Sequence, residues 1–219
     1  MTKAPAGRVA LVGAETAAEM YATLRSTYPD ARCELDFDGP FQLLIATVLS
    51  AQSTDKGVNK VTPHLFARCP DAAALAAIDR AELEAMIRPT GFFRQKAASL
   101  QGIAGALVAD FAGEVPREIE HLTRLPGVGR KTANVVRGHA FGLPGVTADT
   151  HVMRVSRRLG WTAATKPEDV ERDLNALFPE PEWTMLSDVT IFHGRRRCHA
   201  RTPACADCPV AGLCPSVDT

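Results

Sequence analysis

The 219-residue sequence predicts an all-α fold. Apolar residues recur every three or four positions along most of the chain, and no stretch alternates with period two for long enough to make a strand. Proline and glycine signals cut this pattern into about ten short helices. In chain order, Met20, Leu24 and Tyr28 mark the first. Asp38-Gly39-Pro40 is a start signal, with Pro40 in a first turn where its missing N–H leaves no bond unmade. The apolar run Leu43 to Leu49 follows. Pro63 stands inside an otherwise helical stretch, where a kink is expected. Ala97, Leu100, Ile103, Leu107 and Phe111 form a long stripe that ends at Gly113, the expected left-handed C-cap. One helix ends near Arg124, and another runs from about Arg130 to Ala140. Asp149 precedes the stripe Val152, Val155, Leu159 and is a natural N-cap. Val170, Leu174 and Leu177 form a further helix, opened by Lys166-Pro167 and closed by Phe178-Pro179. The length suits one large or two small domains, and no repeat or low-complexity linker interrupts it.

No membrane segment is expected. The longest apolar run falls far short of the ~20 residues that a bilayer-spanning helix needs, and no secretory leader is read near the start. The expected compartment is the cytoplasm. The 25 basic and 25 acidic side chains cancel, which by itself argues against a general polyanion binder. Three segments nevertheless carry basic residues with almost no acids: Arg124 to Arg137, Arg154 to Lys166 and Arg195 to Arg201. Brought together, they would make a basic face suited to a phosphate backbone; taken singly, each reads as a solvated helix end.

Four of the six cysteines lie in Cys198-HARTPA-Cys205-AD-Cys208-PVAGL-Cys214, a C-x6-C-x2-C-x5-C loop. Thiolates are soft ligands that select iron-sulfur clusters, zinc or copper. Zinc sites usually use two close pairs, whereas here only Cys205 and Cys208 form one. The widely thrown outer ligands suit a larger cubic centre, so a 4Fe-4S cluster is expected ahead of zinc. Disulfides fit less well, because Cys33 and Cys69 stand alone in apolar surroundings.

The segment Leu125-Pro126-Gly127-Val128-Gly129-Arg130-Lys131-Thr132-Ala133 joins two helices. Its glycines allow a sharp turn and a close approach by another group, and the N–H groups that open the second helix can hold an anion. A DNA phosphate fits there, and a plain tight turn between helices is the alternative. The spacing is not that of a nucleotide P-loop. Lys131 follows Arg130 in the first helical turn, where the positive helix end and the neighbouring guanidinium both favour a free amine over an ammonium.

The hairpin, the acid in Ala148-Asp149-Thr150-His151 and the cysteine loop together resemble the endonuclease III family of helix-hairpin-helix DNA glycosylases. Leu49-Ser50-Ala51-Gln52-Ser53-Thr54-Asp55 and Gly113-Glu114-Val115-Pro116 resemble two further family signatures, in the right order. The likeness runs from about Tyr21 to Cys214.

The resemblance implies a six-helix barrel domain over 34-145 and a discontinuous iron-sulfur cluster domain over 1-33 and 146-219. It implies a base-excision-repair enzyme that removes oxidised pyrimidines and cuts the strand as an AP lyase. Lys131 would be the nucleophile that forms the Schiff base, and Asp149 the carboxylate that supports charge on the sugar or the deprotonation of Lys131. Leu125, Gly127, Gly129 and Arg130 would hold the backbone of the damaged strand, and Arg201 would contact phosphate from the cluster loop. Gln52 would fill the space left by an extruded nucleotide, with Phe92 as the wedge beside it. The family commonly has a smaller aliphatic residue there, so Phe92 departs from the pattern; core packing is the other reading of Phe92 and Phe93. His151 is expected at the domain interface rather than in the reaction. Cys198, Cys205, Cys208 and Cys214 would hold the 4Fe-4S cluster in a structural role. The implied partner is double-stranded DNA with damaged bases or abasic sites, met by a monomer in the nucleoid. A monofunctional or mismatch-type glycosylase, or a non-catalytic helix-hairpin-helix protein with a structural metal, are the alternatives; neither explains Lys131 and Asp149 together.

Overall fold

The computed structural model describes residues 10–217, which contain α-helices, short 3-10 turns and no strand. The twelve α-helices are α1 (Ala14–Thr27), α2 (Gly39–Leu49), α3 (Asp55–Asn59), α4 (Thr62–Arg68), α5 (Ala72–Ala77), α6 (Arg80–Ile87), α7 (Phe93–Phe111), α8 (Ile119–Leu122), α9 (Arg130–Phe141), α10 (Thr150–Arg158), α11 (Pro167–Leu177) and α12 (Trp183–Arg196). The chain divides into two compact units, one spanning Cys33–Leu143 and the other taking in the residues up to Arg32 and from Pro144 onward. Among the described residues no helix is long and apolar enough to cross a membrane.

In the Cys33–Leu143 unit, α2 is the central helix. Leu43 through Leu49 are all buried, which is why this run is apolar on every side rather than striped. It packs against α7 and α9, and α7 in turn packs against α5 and α6. The stripe Ala97, Leu100, Ile103 and Leu107 is fully buried, as its spacing predicts. Each such leucine or isoleucine contributes roughly 1.5–3 kcal/mol by leaving water. Two local expectations change. Pro63 lies in the first turn of α4 and starts that helix rather than kinking it, because a proline there lacks no helical N–H bond. At the end of α7 the first left-handed residue is Ala112 (φ 53°), with Gly113 (φ 86°) following it.

The second unit has its own core, in which α12 packs against both α1 and α10. Met20 and Leu24 of α1 are fully buried, and the Tyr21 hydroxyl donates to Glu182 Oε2 at 2.6 Å. Arg25 reaches the same carboxylate oxygen at 2.7 Å. Beyond α12 the described chain has only a 3-10 turn, Ala211–Leu213.

Candidate functional site

The hairpin connects α8 to α9 in the Cys33–Leu143 unit. Leu125 and Val128 point into the core, while Pro126 and Gly127 seat against α7. A Cβ on Gly127 would stand 2.9 Å from Ser99 Oγ, and one on Gly102 would stand 3.1 Å from Pro126 Cγ. Gly127 also has φ 78°, so it is required both for the turn and for the fit. Gly129 differs. Its φ of −90° suits any residue, and a Cβ there would meet nothing within 4 Å. The missing side chain therefore leaves space outside the protein, at a helix start without a side-chain cap. Arg130 and Lys131 are exposed in that first turn.

Gln52 and Phe92 lie on two loops of the same unit. Both are exposed, Phe92 by 61%, and both have left-handed backbones (φ 54° and 46°). Core packing is thus excluded for Phe92. Phe93, the next residue, packs against the core, with Arg88 and Arg94 over its ring. The Ser53 hydroxyl donates across to Thr90 O at 2.5 Å, and Lys96 Nζ donates to Leu49 O at 2.8 Å and Thr90 O at 2.6 Å. Sequence reasoning missed Lys96 and Ser53. The signal for Lys96 was its register, since it precedes Leu100, Ile103 and Leu107 on the buried stripe.

Asp149, in the other unit, is the N-cap of α10, its Oδ1 accepting the Val152 N–H at 2.8 Å. The approach to it is fixed by Thr147, whose N–H donates to Ser187 Oγ at 2.9 Å. His151 lies against Gly194 of α12, and its Nδ1 is 3.2 Å from the Arg154 guanidinium. Burial, ahead of the nearby charges, holds the His151 pKa below the ordinary value.

All four cysteines of the terminal loop line one cavity, with Arg158, His193 and Arg197 among its walls. Among the described residues, no three His, Cys, Asp or Glu side chains converge closely enough to hold one metal ion. The four thiols face this one cavity, and they form an all-sulfur donor set. Burial pushes the Cys208 and Cys214 thiols up, opposed by hydrogen bonds from the backbones of Val210 and Ser216. Such N–H donors are the kind that support sulfur ligated to iron. His193 is pushed down to about 4 by burial, so its ring is neutral near pH 7. Its Nδ1 is 2.9 Å from the Tyr28 hydroxyl and its Nε2 3.7 Å from Cys208 Sγ. Toward a thiolate sulfur, which can only accept, the tautomer that satisfies both contacts accepts from the tyrosine at Nδ1 and donates from Nε2.

Arginines of the basic segments in this unit also have structural duties. Arg154 donates to Gly194 O at 2.9 Å and to Cys198 O at 3.0 Å, and Arg158 donates to His199 O at 2.6 Å and Ala200 O at 2.8 Å. Arg158 also lies 3.4 Å from Cys198 Sγ. A loop without a helix has carbonyls that need donors, and these guanidinia supply them. Arg196 pairs with Asp30 at 2.7 Å, and Arg197 pairs with Asp207 at 3.5 Å. Arg201 is exposed at the loop surface.

Residues 45–180 match the model of the HhH-GPD superfamily of base excision DNA repair proteins, and residues 198–214 match the iron-sulfur binding domain of endonuclease III. The chain is 56% identical over 203 residues to endonuclease III of Synechocystis sp., covering 92% of this chain and 93% of that protein. It is 43% identical over 190 residues to endonuclease III of Bacillus subtilis, covering 85% and 86%. A solved structure described as a trapped endonuclease III–DNA covalent intermediate matches with a TM-score of 0.90 and 42% identity, covering 94% of this chain and 98% of that one. A thermostable thymine-DNA glycosylase, at 22% identity and a TM-score of 0.82, shares the fold. The hairpin, the cysteine loop and the near full-length likeness agree: the chain belongs to the endonuclease III family of the HhH-GPD superfamily of base excision DNA repair proteins.

Proposed function

We propose that the protein removes oxidised pyrimidines from double-stranded DNA and then cuts the strand at the abasic site, with Lys131 as nucleophile. The single observation that carries this reading is an exposed amine in the first turn of α9, directly after a hairpin that keeps an open glycine at its rim. The hairpin N–H groups hold a backbone phosphate of the damaged strand, and Arg130 adds charge beside it. The base leaves the stack before reaction, because its glycosidic carbon is inaccessible inside a duplex. Gln52 and Phe92 fill and prop the vacated space.

The Lys131 amine attacks C1′ of the sugar, and the bond to the base breaks with its electron pair departing on the base. Loss of the amine proton and opening of the ring leave an imine between Nζ and C1′. The imine acidifies the C2′ proton, and its removal expels the 3′ phosphate by β-elimination. Asp149, held as a cap by Val152, stabilises positive charge on the sugar as the first bond breaks or helps to deprotonate the lysine. Cys198, Cys205, Cys208 and Cys214 hold a 4Fe-4S cluster. An all-thiol donor set lining one cavity fits such a group, and the wide C-x6-C-x2-C-x5-C spacing favours it over a single zinc ion. It supplies cross-linking of the loop rather than electrons, since neither hydrolysis nor elimination at a sugar requires any. The protein acts as a monomer on nucleoid DNA in the cytoplasm.

The test is chemical trapping. Borohydride added during reaction with a thymine glycol duplex reduces the imine and leaves protein covalently attached to DNA. Lys131→Gln is expected to abolish that adduct while binding to damaged duplex persists, because the hairpin N–H groups do not depend on its side chain. A normal adduct yield from the variant would assign the nucleophile to another amine.

A further inference from the structure

Lys96 is 5% exposed, in the first turn of α7, on the same stripe as the apolar core residues. Burying an ammonium costs several kcal/mol unless it is hydrogen-bonded, so its partners matter. Leu49 O, which accepts one of its hydrogens, ends α2 three residues before Gln52. Thr90 O, which accepts another, lies two residues before Phe92. The Ser53 hydroxyl, next to Gln52, converges on the same Thr90 oxygen. Lys96 also holds Phe92 through the main chain, its N–H donating to Phe92 O at 3.0 Å. One residue thus ties both loops to each other and to α7.

The loops need such a tie. Gln52 and Phe92 are two of only three non-glycine residues with positive φ among the described residues. That backbone is strained for residues with a side chain and persists only where the surroundings fix it. Phe92 is moreover a large apolar side chain held out in solvent. An ordinary helix cap would satisfy Leu49 O alone; an ammonium, with several donors on one atom, can join the carbonyls of separate loops.

We propose that Lys96 is a positioning residue that presets Gln52 and Phe92 as a pair, so that both side chains are already in place when a nucleotide leaves the stack. The proposal rests on the reading of Gln52 as filler and Phe92 as wedge. It adds the device that fixes their spacing.

The experiment uses the full-length protein and a duplex carrying a tetrahydrofuran abasic analogue opposite 2-aminopurine, whose fluorescence rises as it unstacks. Lys96→Met retains the length and apolar character of the side chain without its charge. It is expected to weaken binding to the analogue duplex about tenfold, as loss of charged hydrogen bonds implies, and to change the fluorescence response. Binding to undamaged duplex should stay within about twofold, because the hairpin is untouched. In a Gln52→Ala/Phe92→Ala background, Lys96→Met should have no further effect, because it acts through those side chains. Equal losses on damaged and undamaged duplex, or a full additional loss in the double-variant background, would overturn the proposal and leave Lys96 a general stabiliser. If the double variant itself binds the analogue and unstacks the base like the unaltered protein, the filler and wedge reading falls, and the proposal with it. Should Lys96→Met not fold, Ser53→Ala decides, since it removes one neutral hydrogen bond to the same oxygen. A loss of about threefold on the analogue alone is expected, and no loss would overturn the proposal.

Discussion

In the Cys33–Leu143 unit, the hairpin and the loops of Gln52 and Phe92 rest on helices whose buried faces are complete without any ligand: Leu125 and Val128 join the core, and Pro126 and Gly127 seat on α7. In the other unit, the chain beyond α12 has almost no regular structure, and Cys198, Cys208 and Cys214 only border the core. Its carbonyls are taken by Arg154 and Arg158, and its thiols face a shared cavity. One unit supports its functional segment by packing, whereas the other does so by ligation and guanidinium contacts. The difference teaches where each is vulnerable: a packed segment fails through core substitutions, and a ligated one through its chemistry.

Cys205→Ser should give the largest effect, and should confine it to one unit. The unaltered protein is expected to be yellow-brown with about four irons per chain, and the variant to lose iron and folded yield, because ligation supplies folding free energy. Hydrogen exchange should then show lost protection beyond α12 with the α2 and α7 amides still protected. Equal loss of protection in both units would break the comparison, and one stoichiometric zinc in the unaltered protein would end the cluster assignment.

Asp149→Asn comes next, because it keeps a capping oxygen for Val152 and removes only charge. Base removal should slow by about 100-fold or more if the carboxylate supplies a few kcal/mol in the transition state. On DNA that already lacks the base the loss should be smaller. Equal losses on both substrates would move Asp149 to a step they share, such as activation of the lysine.

The smallest effect is expected from Arg201→Ala. Arg201 is exposed on the cysteine loop, so its charge is available to a phosphate. The slope of log affinity against log salt for undamaged duplex should flatten by about 0.9, the value of one phosphate contact. An unchanged slope would remove Arg201 from the interface.

The sequence carried the helices well, because amphipathic periodicity and capping residues are local signals. Val152, Val155 and Leu159 are buried as their spacing required, and Asp149 caps them. The cysteine loop was legible for the same reason, since all four thiols lie within one short segment. What escaped was long-range. Nothing near Arg158 announces that its guanidinium will serve carbonyls about forty residues later, so it read as part of a basic face. Nor did Lys96 reveal its partner at Leu49, beyond its place in an apolar register. Pro63 misled because proline marks a kink or a beginning equally well until the helix boundary is known.

The discontinuity of the second unit sets an order of events during synthesis. Its first helix, α1, emerges from the ribosome early, yet it packs on α12, which appears only after the whole Cys33–Leu143 unit has been made. The intervening unit is built from one continuous stretch of chain and can fold while translation proceeds. The cysteines follow later still. A complete set of thiols therefore exists only in a chain whose lysine-bearing unit has already left the ribosome.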